Sequence, residues 1–218
     1  MKIIFVTLFP QIIKCYFSDS VLKKALDKNI FSIEFVNFRE YSANRFKRVD
    51  TPLVGGGAGM IIDNVALREC LNDLKVKYKN ARTIFLTPVG KKYNQKDAVR
   101  LANEEVLILV CGRYEGFDER LIEDFADEVL SIGDFIITGG EIAALAIADS
   151  VLRNVKGVLG NEESLKGESF ENSLLEAPQF SKTGDVPSIL KSGNHKEIKK
   201  WQHKLSILKT KYHRTDLL

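Results

Sequence analysis

The stretch from Arg82 to Ala144 constrains the fold more than any other part of the chain. It holds three short apolar runs, each followed by a glycine-bearing loop, and the runs are Arg82–Leu86, Glu105–Cys111 and Glu128–Ile132. Short continuous apolar runs are typical of strands buried in a parallel sheet. Because such sheets bind ligands at the carboxyl ends of their strands, the three loops are predicted to meet at one small-molecule site.

The loops after these runs carry more functional groups than a turn requires. Thr87–Gly90 is a turn by composition, Gly112–Gly116 opens a charged stretch, and Gly133–Gly140 offers backbone amides and room for a flat ring. Each loop alone is more simply explained as structural. Together, after successive strands, they indicate a ligand cradle on an α/β domain. The residues by themselves predict an open sheet, because knotted chains are rare.

Composition limits the class of protein. The chain has 218 residues, of which 44% are hydrophobic, enough for one large domain or two small ones. The apolar run after Met1-Lys2 is too short to span a membrane and no cleavage site follows it, so it is predicted to be a core strand. Three separated cysteines predict neither a zinc site nor a disulfide framework. We therefore expect a cytoplasmic protein without a membrane partner.

Positive charge is concentrated at the carboxyl end. Residues 191–218 carry a net charge of +6 in a chain whose total is +3. A helix beginning after Asn194 would place Ile198, Trp201, Leu205 and Leu208 on one face, with most lysines elsewhere. The lysines form either a nucleic-acid contact or a solvated helix face. The glycine-rich polar stretch 161–172 is predicted to link a domain at 1–160 to a small one at 173–218.

Other elements follow from periodicity and capping residues. Strands are predicted at Lys2–Leu8 and Ile30–Asn37, and helices after Pro10 and at Ser20–Lys28, Asp63–Lys75, Asn94–Ala102, Phe117–Phe125 and Glu141–Val151. The glycine-rich segment Val54–Met60 matches neither the dinucleotide fingerprint nor a P-loop, which excludes a nicotinamide dehydrogenase.

Several motifs together resemble one family over essentially the whole chain. They are Leu8–Pro10, Gly55–Met60, Cys111–Arg120, Ser131–Asp134, Thr138–Glu141, Gly157–Gly160, Glu168–Phe170, Val186-Pro187 and Ser192–His195. The sequence closely resembles the bacterial tRNA (guanine(37)-N(1))-methyltransferases of the SPOUT class, the TrmD type. The resemblance implies a parallel-sheet α/β domain with a deep trefoil knot, in place of the open sheet, plus a small helical carboxyl-terminal domain.

The same resemblance implies the ligands and partners. The methyl donor is S-adenosyl-L-methionine, bent in the knot, and the active site lies between the subunits of a homodimer. The carboxyl-terminal domain would grip tRNA through phosphate contacts of Lys196, Lys199, Lys200, Lys204, Lys209, Lys211 and Arg214. Carried over position by position, the donor pocket would comprise Leu86, Thr87, Pro88, Gly90, Gly112, Tyr114, Gly116, Ile132, Gly133, Asp134, Phe135, Ile136, Ile137, Gly139 and Gly140.

Three residues are candidates for the chemistry. Methylation of guanine N1 requires a general base, and Glu176 stands where the family has aspartate in a Leu-Leu-Asp-x-Pro motif, with a side chain one methylene longer. Its competing role is to cap a turn. Glu115 would bind the guanine edge or a magnesium ion. Arg113 would contact guanine O6 or a phosphate, or else pair with the acids that follow it.

Departures from the family pattern fall outside the groups that the reaction demands. Ala58, Val89 and Ala143 replace a proline, a glutamine and a proline, and Phe180–Lys182 replaces a Tyr-Thr-Arg run. Two alternatives remain: another knotted methyltransferase acting on ribosomal RNA or a ribose, and an RNA-binding protein without activity. The Leu-Leu-carboxylate-x-Pro motif at 174–178 and the full-length match count against the first, and the intact glycine loops with the carboxylate at position 176 count against the second.

Overall fold

The protein is described by a computed structural model that covers residues 1–218, apart from the side chain of Glu162. Its Cα positions divide into two compact units, Met1–Gly160 and Asn161–Leu218. Among the described residues, no helix combines the length and the apolar character needed to cross a membrane.

The first unit is built on a five-stranded sheet in which every neighbouring pair is parallel, in the order β2-β1-β6-β5-β7. Strands β3 and β4 form a separate antiparallel pair. The strands are β1 Lys2–Val6, β2 Ser32–Val36, β3 Asp50–Pro52, β4 Met60–Ile62, β5 Arg82–Lys92, β6 Val106–Cys111 and β7 Glu128–Ser131. The predicted α/β class with a parallel sheet is therefore confirmed.

Six helices of this unit and one of the second complete the regular structure. They are α1 Pro10–Lys14, α2 Ser20–Asp27, α3 Asn64–Lys77, α4 Gln95–Leu101, α5 Glu119–Phe125, α6 Glu141–Leu152 and α7 His195–His213. Short 3₁₀ helices span Cys15–Ser18, Phe38–Tyr41, Glu162–Leu165, Glu171–Ser173, Ser188–Lys191 and Thr215–Leu217.

The sheet is covered on both faces, which explains the uninterrupted apolar runs. Ile3 and Phe5 of β1 face a core that includes buried residues of α2 and α6, whereas Ile4 and Val6 face a core with α3. Successive strand residues point to opposite faces, so a strand buried on both sides needs an apolar residue at every position.

The predicted loop Thr87–Gly90 is wrong in one respect, because it lies inside strand β5. The pairing of β5 with β7 shifts register here: both Leu86 and Lys91 pair with Leu130. The intervening residues bulge out of the ladder, and the strand then resumes. Composition indicated a turn that ends the strand, whereas the structure has a bulge inside a continuous strand, because β5 pairs again with the sequence-distant β7 beyond it.

The second unit contains α7 and the irregular chain before it. Asn194 caps α7 by accepting a hydrogen bond from the Glu197 amide. Leu208 was predicted to lie on the covered face but is 50% exposed, and Thr210 is the buried residue of this helix. Thr210 can be buried because its hydroxyl accepts a hydrogen bond from the Leu175 amide at 2.9 Å. Residues 161–172 group with this unit, and their role as a linker stays a prediction.

Glu34 on β2 gives the fold a pH-dependent contribution. Burial raises the pKa of its carboxyl, but hydrogen bonds from Lys77, Tyr78 and Lys2 outweigh burial and lower it to about 2. Because the pKa is lower in the folded protein, the ionised carboxyl stabilises the fold above the unfolded pKa of 4.5. This stabilisation is lost as the pH falls towards 2.

We therefore expect Glu34→Gln to lower the free energy of unfolding by about 2 kcal/mol at pH 7, with the difference from wild type shrinking as the pH falls below about 4.5. Denaturant unfolding of both proteins between pH 3 and pH 7 measures this. Glu105→Gln, at an exposed carboxylate, is the control. A Glu34→Gln difference that stays constant across this range would contradict the assignment.

Candidate active site

A cleft lies at the bulge of β5 and at the carboxyl ends of β6 and β7, where the sequence predicts a ligand site. The bulge and the two loops meet there because the strands are parallel neighbours in the sheet. The cleft is lined by Leu86, Thr87, Pro88, Gly112, Arg113, Tyr114, Glu115, Gly116, Phe117, Leu130, Ser131, Ile132, Gly133, Phe135, Ile136, Ile137, Thr138, Gly139, Gly140 and Ala143.

Most residues predicted to bind the donor line this cleft, and two do not. Gly90 packs against β7, where a Cβ at its position would lie 2.6 Å from the Leu130 amide nitrogen. Asp134 is exposed, and its carboxylate accepts a hydrogen bond from Lys92 Nζ at 2.5 Å. The contribution of the lining residues to donor binding stays a prediction.

The sequence reading missed five lining residues. They are Phe117, Leu130, Ser131, Thr138 and Ala143. Thr138 lies within the predicted loop Gly133–Gly140, and Phe117, Leu130 and Ser131 lie one or two positions beyond residues assigned to the donor pocket, so only Ala143, inside α6, had no nearby signal.

Two of the loops touch through their backbones. The Gly140 amide donates to the Gly112 carbonyl at 2.8 Å. A Cβ at Gly140 would lie 2.7 Å from the Gly112 nitrogen and 2.9 Å from the Cys111 Cα. Those neighbours are backbone atoms and cannot rotate away, so only glycine fits at position 140.

The third loop presents apolar side chains together with open amides. Phe135 and Ile136 are 54% and 80% exposed. In the described part of the chain, the backbone N–H groups of 134–139 donate no hydrogen bond. Unpaired amides beside apolar side chains suit a flat heteroaromatic ring, because the amides can donate to ring nitrogens while the side chains cover its faces.

Arg113 lies in the cleft wall and pairs with Glu141, at 2.9 Å from Nη2 to Oε2. Its Nη1 donates to the Thr138 carbonyl at 3.2 Å, and its guanidinium stacks on the Phe9 ring at 4.5 Å. The sequence alternative, pairing with the acids that follow Arg113, is wrong for the described residues. Asp118 instead pairs with Arg120, whose hydrogen bonds lower the pKa of Asp118 to about 2.

Glu115 lies against the glycine-rich segment before β4. A Cβ at Gly59 would lie 2.4 Å from Glu115 Oε1, a side-chain atom that can move aside, whereas the φ of +99° at Gly59 strains any other residue, so the backbone conformation favours glycine there. The Glu115 amide also donates to the Met60 carbonyl at 2.9 Å. Among the described residues, no group of three His, Cys, Asp or Glu side chains is arranged to hold a metal, and magnesium at Glu115 stays a prediction.

Glu176 belongs to the second unit and is half-buried. Its amide donates to Ser169 Oγ at 3.1 Å, and the preceding amide, of Leu175, donates to the buried Thr210 hydroxyl. Three residues just before it, Phe170, Asn172 and Ser173, have positive φ. Its carboxylate forms no hydrogen bond within the described residues, so the turn-capping alternative has no bond to support it.

The basic residues of the second unit differ in their freedom to bind phosphate. Lys196, Lys199, Lys204 and Lys211 are exposed without a described carboxylate partner. Lys200 pairs with Glu197 at 2.9 Å. Arg214 pairs with Asp216 and stacks on Phe170, so it is already engaged within its own unit.

Comparison with known proteins agrees with this geometry. Residues 1–218 match the family described as tRNA (guanine-1)-methyltransferase TrmD. A tRNA (guanine-N(1)-)-methyltransferase of Wolinella succinogenes is 53% identical, covering 100% of this chain and 94% of that protein. Proteins of the same name from Nitratiruptor and Helicobacter pylori are each 50% identical, covering 99% and 100% of this chain and 97% of their own lengths. The resemblance seen in the sequence is confirmed: the chain belongs to the tRNA (guanine-N(1)-)-methyltransferase family of the TrmD type.

Proposed function

We propose that this protein transfers the methyl group of S-adenosyl-L-methionine to N1 of guanosine 37 in tRNA, next to the anticodon. The observation that carries the proposal is the convergence of the β5 bulge and two glycine-bearing loops on one cleft in a chain of this family. S-adenosyl-L-methionine supplies a methyl group on a positively charged sulfur, which makes the group open to nucleophilic attack.

The cleft fits the adenosine part of such a donor. The open amides of 134–139 match the acceptor nitrogens of adenine, and Phe135, Ile136 and Ile137 can cover the ring faces. The backbone contact between Gly112 and Gly140 brings two loops close enough to enclose one ligand. The trefoil knot that the family resemblance implies is also part of the proposal.

Glu176 is the proposed base. Guanine N1 carries a proton that must leave for a methyl group to be added, so a carboxylate must come within hydrogen-bond reach. The carboxylate of Glu176 is unpaired within the described residues, its amide donates to Ser169 Oγ, and the preceding amide, of Leu175, donates to the Thr210 hydroxyl.

Arg113 and Glu115 are the proposed contacts to the guanine. As the proton leaves N1, negative charge grows on the ring and on O6, and a nearby guanidinium stabilises that charge. Arg113 lies in the cleft wall and Glu115 beside it, where a carboxylate can accept from the guanine edge or hold a magnesium ion.

We propose a homodimer with the active site shared between subunits. Helix α1 packs against α6. Three apolar side chains lie on or beside α1, those of Phe9, Ile12 and Tyr16, and a fourth, Ile142, lies on α6. These four apolar side chains are 43% to 54% exposed in the single chain. Exposed apolar groups on two packed helices favour cover by another protein surface, which a second copy supplies.

We propose that the second unit contacts tRNA through the exposed lysines of α7, which are Lys196, Lys199, Lys204 and Lys211. Such phosphate contacts supply affinity, whereas the choice of base comes from an unstacked guanine in the cleft. A tRNA substrate places the protein in the cytoplasm.

Transfer of a labelled methyl group tests the proposal directly. Two tRNA transcripts that differ only in carrying guanosine or adenosine at position 37 are incubated with protein and labelled S-adenosyl-L-methionine. We expect label only in the guanosine transcript, at N1 after digestion to nucleosides. Label on ribose, label in both transcripts, or no transfer to either would overturn the proposal.

A further inference from the structure

Glu141 is a buried carboxylate to which the proposed function gives no role. It is 1% exposed at the first position of α6. A buried charge is costly unless it is paired, so its partners indicate its purpose. One partner is Arg113, and the other is the Thr7 hydroxyl, which donates to Oε1 at 2.7 Å. Thr7 lies just after β1, so the carboxylate connects the first strand to the cleft wall.

Three contacts hold Arg113 in place. Besides Glu141, it bonds the Thr138 carbonyl and stacks on Phe9. Phe9 is held in turn, because its amide donates to the Thr7 hydroxyl at 2.9 Å. We call Thr7, Phe9, Arg113 and Glu141 the Arg113 cluster. Gly139 closes it, since a Cβ there would lie 2.3 Å from Arg113 Nε.

The geometry of the Arg113 cluster is poor for stabilising the fold. Arg113 Nε and Glu141 Oε2 are buried without a hydrogen-bond partner, even though Nη2 lies 2.9 Å from Oε2. The pair is therefore within ionic contact but is not aligned as a hydrogen bond. Buried ion pairs contribute little net stability even when well aligned. Orientation of the guanidinium explains this arrangement better than stability does.

We infer that Glu141 and Thr7 are positioning residues for Arg113, and that Arg113, through the Thr138 carbonyl, holds the loop 133–140 in its donor-binding shape. The inference rests on the proposed function, because it assumes that the cleft binds S-adenosyl-L-methionine. Its consequence is that hydrogen-bonding groups outside the cleft lining control donor affinity.

The test measures the Kd of S-adenosyl-L-methionine by calorimetry, with thermal unfolding recorded for every variant. We expect Glu141→Gln to raise this Kd by about tenfold, the equivalent of about 1.4 kcal/mol. Thr7→Val, which keeps the shape but loses the hydroxyl, is expected to raise it by about threefold, and Thr7→Ser to restore it, since the hydroxyl both donates to Glu141 and accepts from the Phe9 amide.

Asp97→Asn is the matched control. Asp97 is also a nearly buried carboxylate in the first turn of a helix, α4, and it pairs with Lys91 and Arg100 away from the cleft. This variant should lose thermal stability but bind the donor as wild type does. Donor affinity lost equally in Asp97→Asn and Glu141→Gln would reduce Glu141 to a structural residue and overturn the inference.

A double-mutant cycle shows whether Glu141 acts through Arg113. In an Arg113→Met background, adding Glu141→Gln should leave the donor Kd unchanged within about twofold, because coupled residues are not additive. The double variant should also be more stable than Arg113→Met alone, since it no longer buries an unpaired carboxylate. If Glu141→Gln weakens the donor as much in that background as in wild type, the inference fails.

The outcomes separate the two proposals. A wild-type protein that does not bind S-adenosyl-L-methionine would overturn the proposed function. A wild type that binds it, with Glu141→Gln and Thr7→Val binding equally well, would overturn only the positioning role. If Glu141→Gln does not fold, Thr7→Val against Thr7→Ser still decides.

Discussion

Replacing Glu176 with glutamine is expected to lower the rate of methyl transfer to guanosine-37 tRNA by roughly 10²–10⁴-fold, the usual contribution of a general base. Glutamine has nearly the same shape, so the hydrogen bonds from the Glu176 and Leu175 amides should persist. The Kd values of donor and tRNA should therefore change by less than about twofold. Single-turnover transfer with saturating donor measures the chemical step.

The pH profile distinguishes loss of a base from loss of structure. Without the carboxylate, guanine N1 must lose its proton to solvent, so the residual rate of Glu176→Gln should climb by about tenfold per pH unit over a range where wild type has levelled off. A misfolded fraction would lower the rate equally at every pH.

Two further variants calibrate the result. Glu176→Asp introduces the residue that the family usually carries and should retain most of the activity. Glu197→Gln, at an exposed carboxylate of the same unit, should behave as wild type. If Glu176→Gln transfers the methyl group at the wild-type rate, Glu176 is not the general base. The proposal that the protein is a methyltransferase would be unaffected.

Adding one methyl group at Gly140 is the second change with a large expected effect. Gly140→Ala should lower the free energy of unfolding by about 1–3 kcal/mol, the range for overpacking, and weaken donor binding by at least about tenfold. The Cβ would lie 2.7 Å from the Gly112 nitrogen, so the two loops must separate and the hydrogen bond between them must lengthen.

The controls isolate the steric cause. Gly160→Ala introduces the same group where no atom lies within 4 Å, and it should change neither stability nor donor affinity appreciably. Gly140 is also the N-cap of α6, a position that serine suits better than alanine. Gly140→Ser should nevertheless be as damaging as Gly140→Ala. Urea unfolding and calorimetry measure both effects, and a Gly140→Ala protein with wild-type stability and affinity would contradict the steric argument.

Local patterns predicted the sheet and most of the cleft for identifiable reasons. Strands β1 and β6 are buried on both faces, so nearly every successive residue in them is apolar and the pattern can be recognised from the sequence. The sequence also predicted Asn94 as a helix cap, because a cap and its helix are contiguous in sequence, and the structure adds the reciprocal bond, which the Asn94 amide donates to the Asp97 carboxylate.

The errors arose where distant segments decide the outcome. Thr87–Gly90 has the composition of a turn, yet Lys91 pairs with Leu130 and returns the chain to β5. Leu208 has helical spacing from Leu205, yet the buried position near the end of α7 goes to Thr210, which binds the Leu175 amide 35 residues away. Periodicity cannot report such pairings, because they depend on which segments come into contact.

The sequence by itself determined which strands are followed by loops with functional groups, which glycines permit close contacts, and the family to which the protein belongs. Tertiary structure alone decided which groups pack against those glycines. The Gly112 backbone packs against Gly140, the Arg113 side chain against Gly139, and the Glu115 side chain against Gly59. Tertiary structure also joined Thr7 to Glu141 across 134 residues. Local propensity acts between neighbours in the chain, whereas these contacts exist only after the parallel strands bring separate loops to one edge of the sheet.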